Sequence, residues 1–234
     1  DFAEALFEMG FNRISLGIQS FFDEDLELMN RAHNQNQATA AVQLLKKSGF
    51  QNITIDLIYG IPNTTMKKWK ENIEQALKLE VPHISSYCLT IEEKTLLHHQ
   101  VETGKVKIPS TESQLEQFEF LSEKLVSQGY DHYEISNFAK PSFESKHNSS
   151  YWKNKDYLGF GPSAHSKIGN RRFWNISNNY QYIKRLKTDV EVSEEEVLSV
   201  KDQFNETLMI GLRTKSGVKL KAIKSSEFYP DEFQ

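Results

Sequence analysis

Cysteine is nearly absent. The chain has one, Cys88, among 234 residues, so it cannot close an internal disulfide. Nor can it supply the several thiolates that an iron–sulfur cluster or a structural zinc site takes. No apolar run is long enough to span a bilayer, and no basic start is followed by an apolar signal segment. With a lone thiol, that makes the cytoplasm the expected location. Charge of one sign is not in excess either. Lys and Arg number 28 against 32 Asp and Glu, a net charge of -4, which gives no global reason to expect nucleic acid or an anionic membrane as partner. An initiator Met is missing as well. Asp1 opens into Phe2-Ala3-Glu4-Ala5-Leu6-Phe7-Glu8-Met9-Gly10, the pattern of a helix end closing on a C-cap glycine. Residues 227–234 stop without a charged tail, and both ends read as cuts in a longer chain. What is present is ordinary globular protein, 38% hydrophobic and 26% charged, and long enough to bury a core.

The first half alternates strand and helix patterns. Arg13-Ile14-Ser15-Leu16-Gly17-Ile18-Gln19-Ser20 is a short β-run, followed by helical patterns from about Asp23 and from Gln37 to Lys47. Residues 52–60 form a second strand, nearly continuous in apolar side chains, as a strand covered on both faces is. A helix from Thr65 to Leu79 leads to a third strand at 83–90. This order predicts parallel strands joined by right-handed crossovers. Near Gly104 the rhythm changes, and the expected boundary divides 1–105 from 106–234. Beyond it the spacing predicts a helix capped by Ser110 or Thr111 running to about Gln128 and one strand over 130–138. Short strands at 157–161 and 171–174 follow, then helices over 178–187 and 193–212. The second region is therefore a smaller α+β part.

In parallel barrels the chemistry collects at the C-terminal ends of the strands. Gln19 ends the first strand, Asp56 lies in the second, and Arg31 follows the first in Asn30-Arg31-Ala32-His33. Asp56 is the most informative, because a carboxylate in an apolar strand must find hydrogen-bond partners or a ligand. On residue chemistry alone, an Asp satisfied by backbone amides and an Arg on the surface account for the pattern as well. His98-His99 reads as an exposed turn, Lys67-Lys68-Trp69-Lys70 as a solvated helix start, and Gly159-Phe160-Gly161 lacks the last glycine of a dinucleotide fingerprint. His165 and Trp174 fit a core role as readily as a site.

Several blocks then occur in a fixed order: residues 12–21, Arg31-Ala32-His33, Asp56-Leu57-Ile58-Tyr59-Gly60-Ile61-Pro62, Leu89-Thr90-Ile91-Glu92, Glu134-Ile135-Ser136-Asn137-Phe138-Ala139, His147-Asn148-Ser149-Ser150-Tyr151-Trp152 and residues 158–166. Together they resemble the radical S-adenosylmethionine (SAM) proteins related to oxygen-independent coproporphyrinogen III oxidase. The HNxxYW element resembles their haem-chaperone branch, the HemW group.

The resemblance implies an α/β fold, a partial (β/α) TIM-like barrel truncated on its N-terminal side. It implies SAM, a [4Fe-4S] cluster and haem as cofactors of an intact parent. By the same resemblance Gln19, Arg31, Asp56 and, with weaker alignment, Thr90 fall at SAM-contacting positions, while His147, Tyr151 and Trp152 fall in the haem element. The family's CxxxCxxC loop is not in this sequence, so a chain holding only Cys88 is expected to bind no cofactor and to be inactive alone. Three readings follow: a haem chaperone with haem or porphyrin and haem-acceptor proteins as partners, the oxidase of porphyrin synthesis, or an inactive half-barrel. An exposed strand edge also predicts self-association.

Overall fold

The computed structural model describes residues 2–224; Asp1 and the C-terminal stretch read above as a cut end lie outside them. Two compact units divide the chain, the first ending at Glu144 and the second beginning at Ser145.

The first unit opens with α1 (Phe2–Glu8), β1 (Arg13–Gln19), α2 (Asp23–Leu28), α3 (Gln35–Lys47), β2 (Asn52–Tyr59), α4 (Met66–Lys78) and β3 (His83–Cys88). Then come α5 (Leu96–Glu102), α6 (Thr111–Ser127), β4 (Asp131–Glu134) and β5 (Asn137–Ala139). One sheet runs in the order β1-β2-β3-β5-β4. The first three strands are parallel, as the strand–helix–strand rhythm predicts. The last two are antiparallel additions.

The longer helices start where the sequence supplies a cap. Asn34 and Gln37 form a reciprocal capping box for α3, Thr65 caps α4 and Ser110 caps α6, each satisfying amides that the first turn leaves open. The buried positions recur at helical spacing: Ala38, Val42 and Leu45 on α3, Trp69, Ile73 and Ala76 on α4, Leu121 and Leu125 on α6. They share one core cluster with Ile18, Ile53, Ile55, Leu57, Ile84 and Phe138 of the sheet. Trp69 ties two helices by donating its indole N–H to Gln117 O at 2.8 Å. Gln117 in turn accepts Gly60 N–H at 2.9 Å, which fixes the turn at the end of β2.

Two expectations for this unit are corrected. The strand predicted over 130–138 is a hairpin, because Ile135 and Ser136 turn the chain and β4 pairs with β5. The boundary expected near 105 falls at 144/145. The connector there does not end the domain, since β5 pairs with β3 and α6 packs into the shared core.

The second unit holds α7 (Lys146–Trp152), β6 (His165–Ile168), β7 (Arg171–Asn175), α8 (Asn179–Lys187), β8 (Ser193–Val197), α9 (Val200–Gly211) and α10 (Leu220–Lys224). Strands β6, β7 and β8 form an antiparallel sheet. The strand predicted at 157–161 is instead a loop, held to the sheet by the bridge Tyr157–Lys167 and by hydrogen bonds from Gly159 N–H to Ser166 Oγ and from Asn175 Nδ2 to Gly161 O. There a side chain on Gly159 would collide with His165 O, and Gly161 has φ 97°. The helix predicted over 193–212 is β8 followed by α9. Cross-strand pairing overrides the helix propensity of Glu194, Glu195 and Glu196: Glu194 accepts from Trp174 Nε1 at 3.0 Å and Glu195 pairs with Arg171. The helix starts only where Ser199 and Asp202 build a capping box.

Among the described residues no helix is long and apolar enough to cross a membrane.

Candidate functional site

Strand alternation sorts the first sheet into two faces. Ile14, Leu16 and Ile18, with Ile53, Ile55 and Leu57, point to the helices. Arg13, Ser15 and Gly17 point the other way, and the register sets Ser15 against Thr54, Asp56 against Ser85 and Ile58 against Tyr87. That second face carries a continuous polar network.

At its lower end Arg13 donates to Asn52 Oδ1 and Thr54 Oγ1, both at 2.6 Å, and to Phe143 O at 3.2 Å. His83 is buried there, its Nε2 2.8 Å from Tyr133 Oη. Burial, helped by the Arg13 charge, pushes its pKa down to about 3, so the imidazole is neutral. In the middle lies Asp56, half-buried, with Ser15 Oγ 3.4 Å from each carboxylate oxygen. Burial raises its pKa, while hydrogen bonds from Ser85 and Ser15 and the Arg13 charge act in the opposite sense. Asp56 is therefore not neutralised by backbone amides: its partners are hydroxyls. Tyr87 stands beyond Ser85, its hydroxyl pKa raised first by burial and also by the charges of Asp56 and Glu134.

Gln19 pairs in register with Leu57 of the helix-facing set, yet its carboxamide lies back over the polar face. One extra residue in β1 shifts the register between Leu16 and Gln19, so that Gln19 stands opposite Leu57. Its backbone takes φ 68°, a left-handed conformation uncommon outside glycine, and the residue is 8% exposed. Its carboxamide lies over Gly17, whose missing side chain is on the Ser15–Asp56 face; a methyl group at Gly17 would stand 2.6 Å from Gln19 Nε2. The next residues are locked from behind: Asn72 Oδ1 accepts Phe21 N–H at 2.7 Å, and Ser20 Oγ donates to Asp25 at 2.7 Å.

The Gln19 carboxamide and Asp56 thus share one face of neighbouring strands. Thr90 sits exposed just past the C-terminal end of β3, where Leu89 N–H donates to Tyr59 O at 2.8 Å and aligns the strand ends. Arg31 is exposed in the turn after α2, its own N–H donating to Leu26 O. No hydrogen bond or ion pair among the described residues joins it to Gln19 or Asp56. The sequence reading missed Arg13, Ser15, His83, Ser85 and Tyr87. Their signal was the period-two alternation of polar and apolar residues along β1 and the start of β3, which marks a strand with one polar face.

Cys88 offers nothing to a cluster. It ends β3, its thiol is 3.5 Å from Gln114 Oε1, burial raises its pKa, and no second cysteine exists in the sequence. The residues present do not fit an iron–sulfur centre. For SAM the polar face fits in kind: a carboxylate whose hydrogen bonds among the described residues come from serine hydroxyls, beside a carboxamide, provides acceptors and donors for ribose hydroxyls and an amine.

In the second unit His147, Tyr151 and Trp152 lie on α7. The 147/151 spacing is one helical turn, and Tyr151 Oη lies 2.9 Å from His147 Nε2. Both rings are exposed, with their centroids 4.9 Å apart, and Tyr151 meets Tyr157 edge-on at 4.7 Å. Trp152 behaves differently. The Arg213 guanidinium covers its ring at 5.2 Å, and its indole N–H is buried without a hydrogen-bond partner among the described residues. Ser145 caps the helix, accepting from Asn148 N–H.

Residues 1–76, which include Gln19, Arg31 and Asp56, match the model of the radical SAM superfamily. A Lactococcus lactis protein named "Heme chaperone HemW" is 40% identical over 215 residues, covering 92% of this chain and 56% of that protein. Its Bacillus subtilis namesake is 36% identical, covering 92% and 57%. The solved coproporphyrinogen III oxidase (HemN) of Escherichia coli, described as a radical SAM enzyme, shares the fold at TM-score 0.73 and 23% identity, over 92% of this chain and 52% of that one. The chain spans about half the length of the curated relatives it matches. By these matches the chain is similar to the radical SAM superfamily over residues 1–76, and to proteins named HemW over 92% of its length.

Proposed function

We propose that this chain forms part of a haem chaperone of the HemW type, which binds SAM on its parallel sheet, takes up haem and passes it to acceptor proteins. The observation that carries the reading is the 40% identity to a protein named as a haem chaperone, with the His147–Tyr151 pair exposed on α7.

On the sheet, Asp56 would accept from the ribose hydroxyls or amine of SAM, Gln19 would hydrogen-bond beside it, and Arg31 would meet the carboxylate. Thr90 would close the C-terminal rim. When bound with its cluster, SAM supplies radical chemistry in this superfamily. This chain's share is to bind and orient it, because the thiolates are not here.

On α7, His147 would ligate the haem iron, and the Tyr151 and Tyr157 rings would offer flat apolar surface to the macrocycle. Trp152 supports the helix from within. Because His147 Nε2 is held by the Tyr151 hydroxyl, ligation through that nitrogen requires the hydroxyl to turn away.

The complete protein carrying this sequence tests the reading against the oxidase alternative. Reduced and given SAM, it is expected to leave coproporphyrinogen III unconverted and to transfer bound haem to an apo-acceptor. Turnover to protoporphyrinogen IX would overturn it.

A further inference from the structure

We propose that Gly17 is a positioning residue for cosubstrate binding, the seat across which Gln19 lays its carboxamide. The inference rests on the reading that Gln19 contacts SAM, and deepens it. Gln19 has little freedom of its own. Its backbone is left-handed, its place in the register is displaced by one residue, and the two residues after it are tied by Asn72 and Asp25. With the backbone fixed, the position of the amide depends on its side-chain torsions and on what lies beneath them. Beneath them is Gly17, exposed, on the polar face, with a backbone outside the positive-φ region.

Glycine is therefore not needed at 17 for its conformation. It is needed for space. A methyl group there would stand 2.6 Å from Gln19 Nε2 and 3.7 Å from Gln19 Cδ, with no other heavy atom beyond its chain neighbours within 4 Å. The atom in the way is the free end of a flexible side chain, so Gly17→Ala displaces the amide and leaves sheet and core intact. A strand-interior glycine otherwise weakens a sheet, and the arrangement keeps that weakness at the one position where it frees the amide.

The test is a double-mutant cycle on the complete, cluster-loaded protein, read as the equilibrium dissociation constant for SAM. Gln19→Ala is expected to weaken SAM binding about tenfold, the loss of one good hydrogen bond. Gly17→Ala should weaken it by a comparable factor, and the double variant no further than Gln19→Ala. The thermal midpoint and haem affinity of Gly17→Ala should match the wild type, which a merely structural role would not allow. Gln19→Asn, which keeps Gly17 and withdraws the amide by one methylene, should lose as much as Gln19→Ala. If Gln19→Ala binds SAM normally, the reading of Gln19 fails and this inference with it. If Gln19→Ala is weak but either Gly17→Ala or Gln19→Asn binds like wild type, or the two alanine losses add, the seat is overturned while Gln19 keeps its role.

Discussion

Asn72 and Phe21 are joined by a buried hydrogen bond, the Phe21 N–H donating to Asn72 Oδ1 at 2.7 Å. A helix residue thereby holds the loop that follows Gln19. Asn72 also donates to Ser20 Oγ at 3.1 Å and is 1% exposed. Both ends of its carboxamide are in use, and Asp25, which accepts from Ser20 Oγ, also pairs with Lys68 at 2.7 Å.

Asn72→Leu keeps the branched shape and removes both bonds, leaving Phe21 N–H buried and unpaired. The expected cost is about 2–3 kcal/mol, measured by urea unfolding. A loss below about 0.5 kcal/mol would show that the loop is held by other contacts.

Two titratable groups of the polar face, His83 and Asp56, act on stability in opposite directions. His83 falls from an ordinary 6.5 to about 3 in the fold. Between those values the unfolded chain binds the extra proton, so its contribution is present above pH 6.5 and lost as pH falls toward 3. Asp56 is raised from 3.8, so the folded chain holds the proton longer and its ionisation subtracts stability as pH rises past that value. Asp56→Asn should therefore raise the melting temperature at pH 7–8 and lose the advantage near pH 4. His83→Gln should flatten the acid limb between pH 6 and 4. Thermal midpoints across pH 3–8 decide both. A melting temperature for Asp56→Asn below wild type at every pH would contradict the assignment of Asp56 as a strained, ligand-directed carboxylate.

Among the described residues β1 pairs with β2 alone and forms one edge of its sheet. An edge strand with free amides and carbonyls recruits another strand. The chain as it stands is expected to self-associate, seen as a concentration-dependent shift from monomer to dimer in analytical ultracentrifugation. A monodisperse monomer across the accessible concentration range would contradict this.

What the sequence made legible, and what it hid, follows the range of the forces involved. Residues 13–19, 52–59 and 83–88 announced themselves through local patterning, and their parallel order followed from the helices between them. The capping signals at Thr65 and Ser110 are local too, and both are where the structure has them. The failures needed long-range partners. Ser193 to Val197 reads as helix until β7 offers arginines and a tryptophan opposite its glutamates. The boundary at Glu144 depends on β5 reaching back to β3. In the site, Asp56 was visible as a lone charge in an apolar strand. The serines around it were not, because which neighbour faces a carboxylate is set by strand register. The register shift and left-handed backbone at Gln19, with its carboxamide over Gly17, leave no mark in the sequence beyond Gly17 itself.

The central claim is that this chain carries the haem-binding helix of a haem chaperone, and His147 is where it is most directly exposed to test. Haem is titrated into the complete protein and into His147→Ala and Tyr151→Phe variants, with the Soret and iron–sulfur absorbances followed together. His147→Ala should shift the Soret maximum and weaken haem binding about tenfold or more, with the iron–sulfur absorbance unchanged. Tyr151→Phe, which frees His147 Nε2 and keeps the ring, should bind haem at least as tightly as wild type. An unaltered Soret band and affinity in His147→Ala would contradict the account, because the one imidazole it assigns to the iron would then play no part.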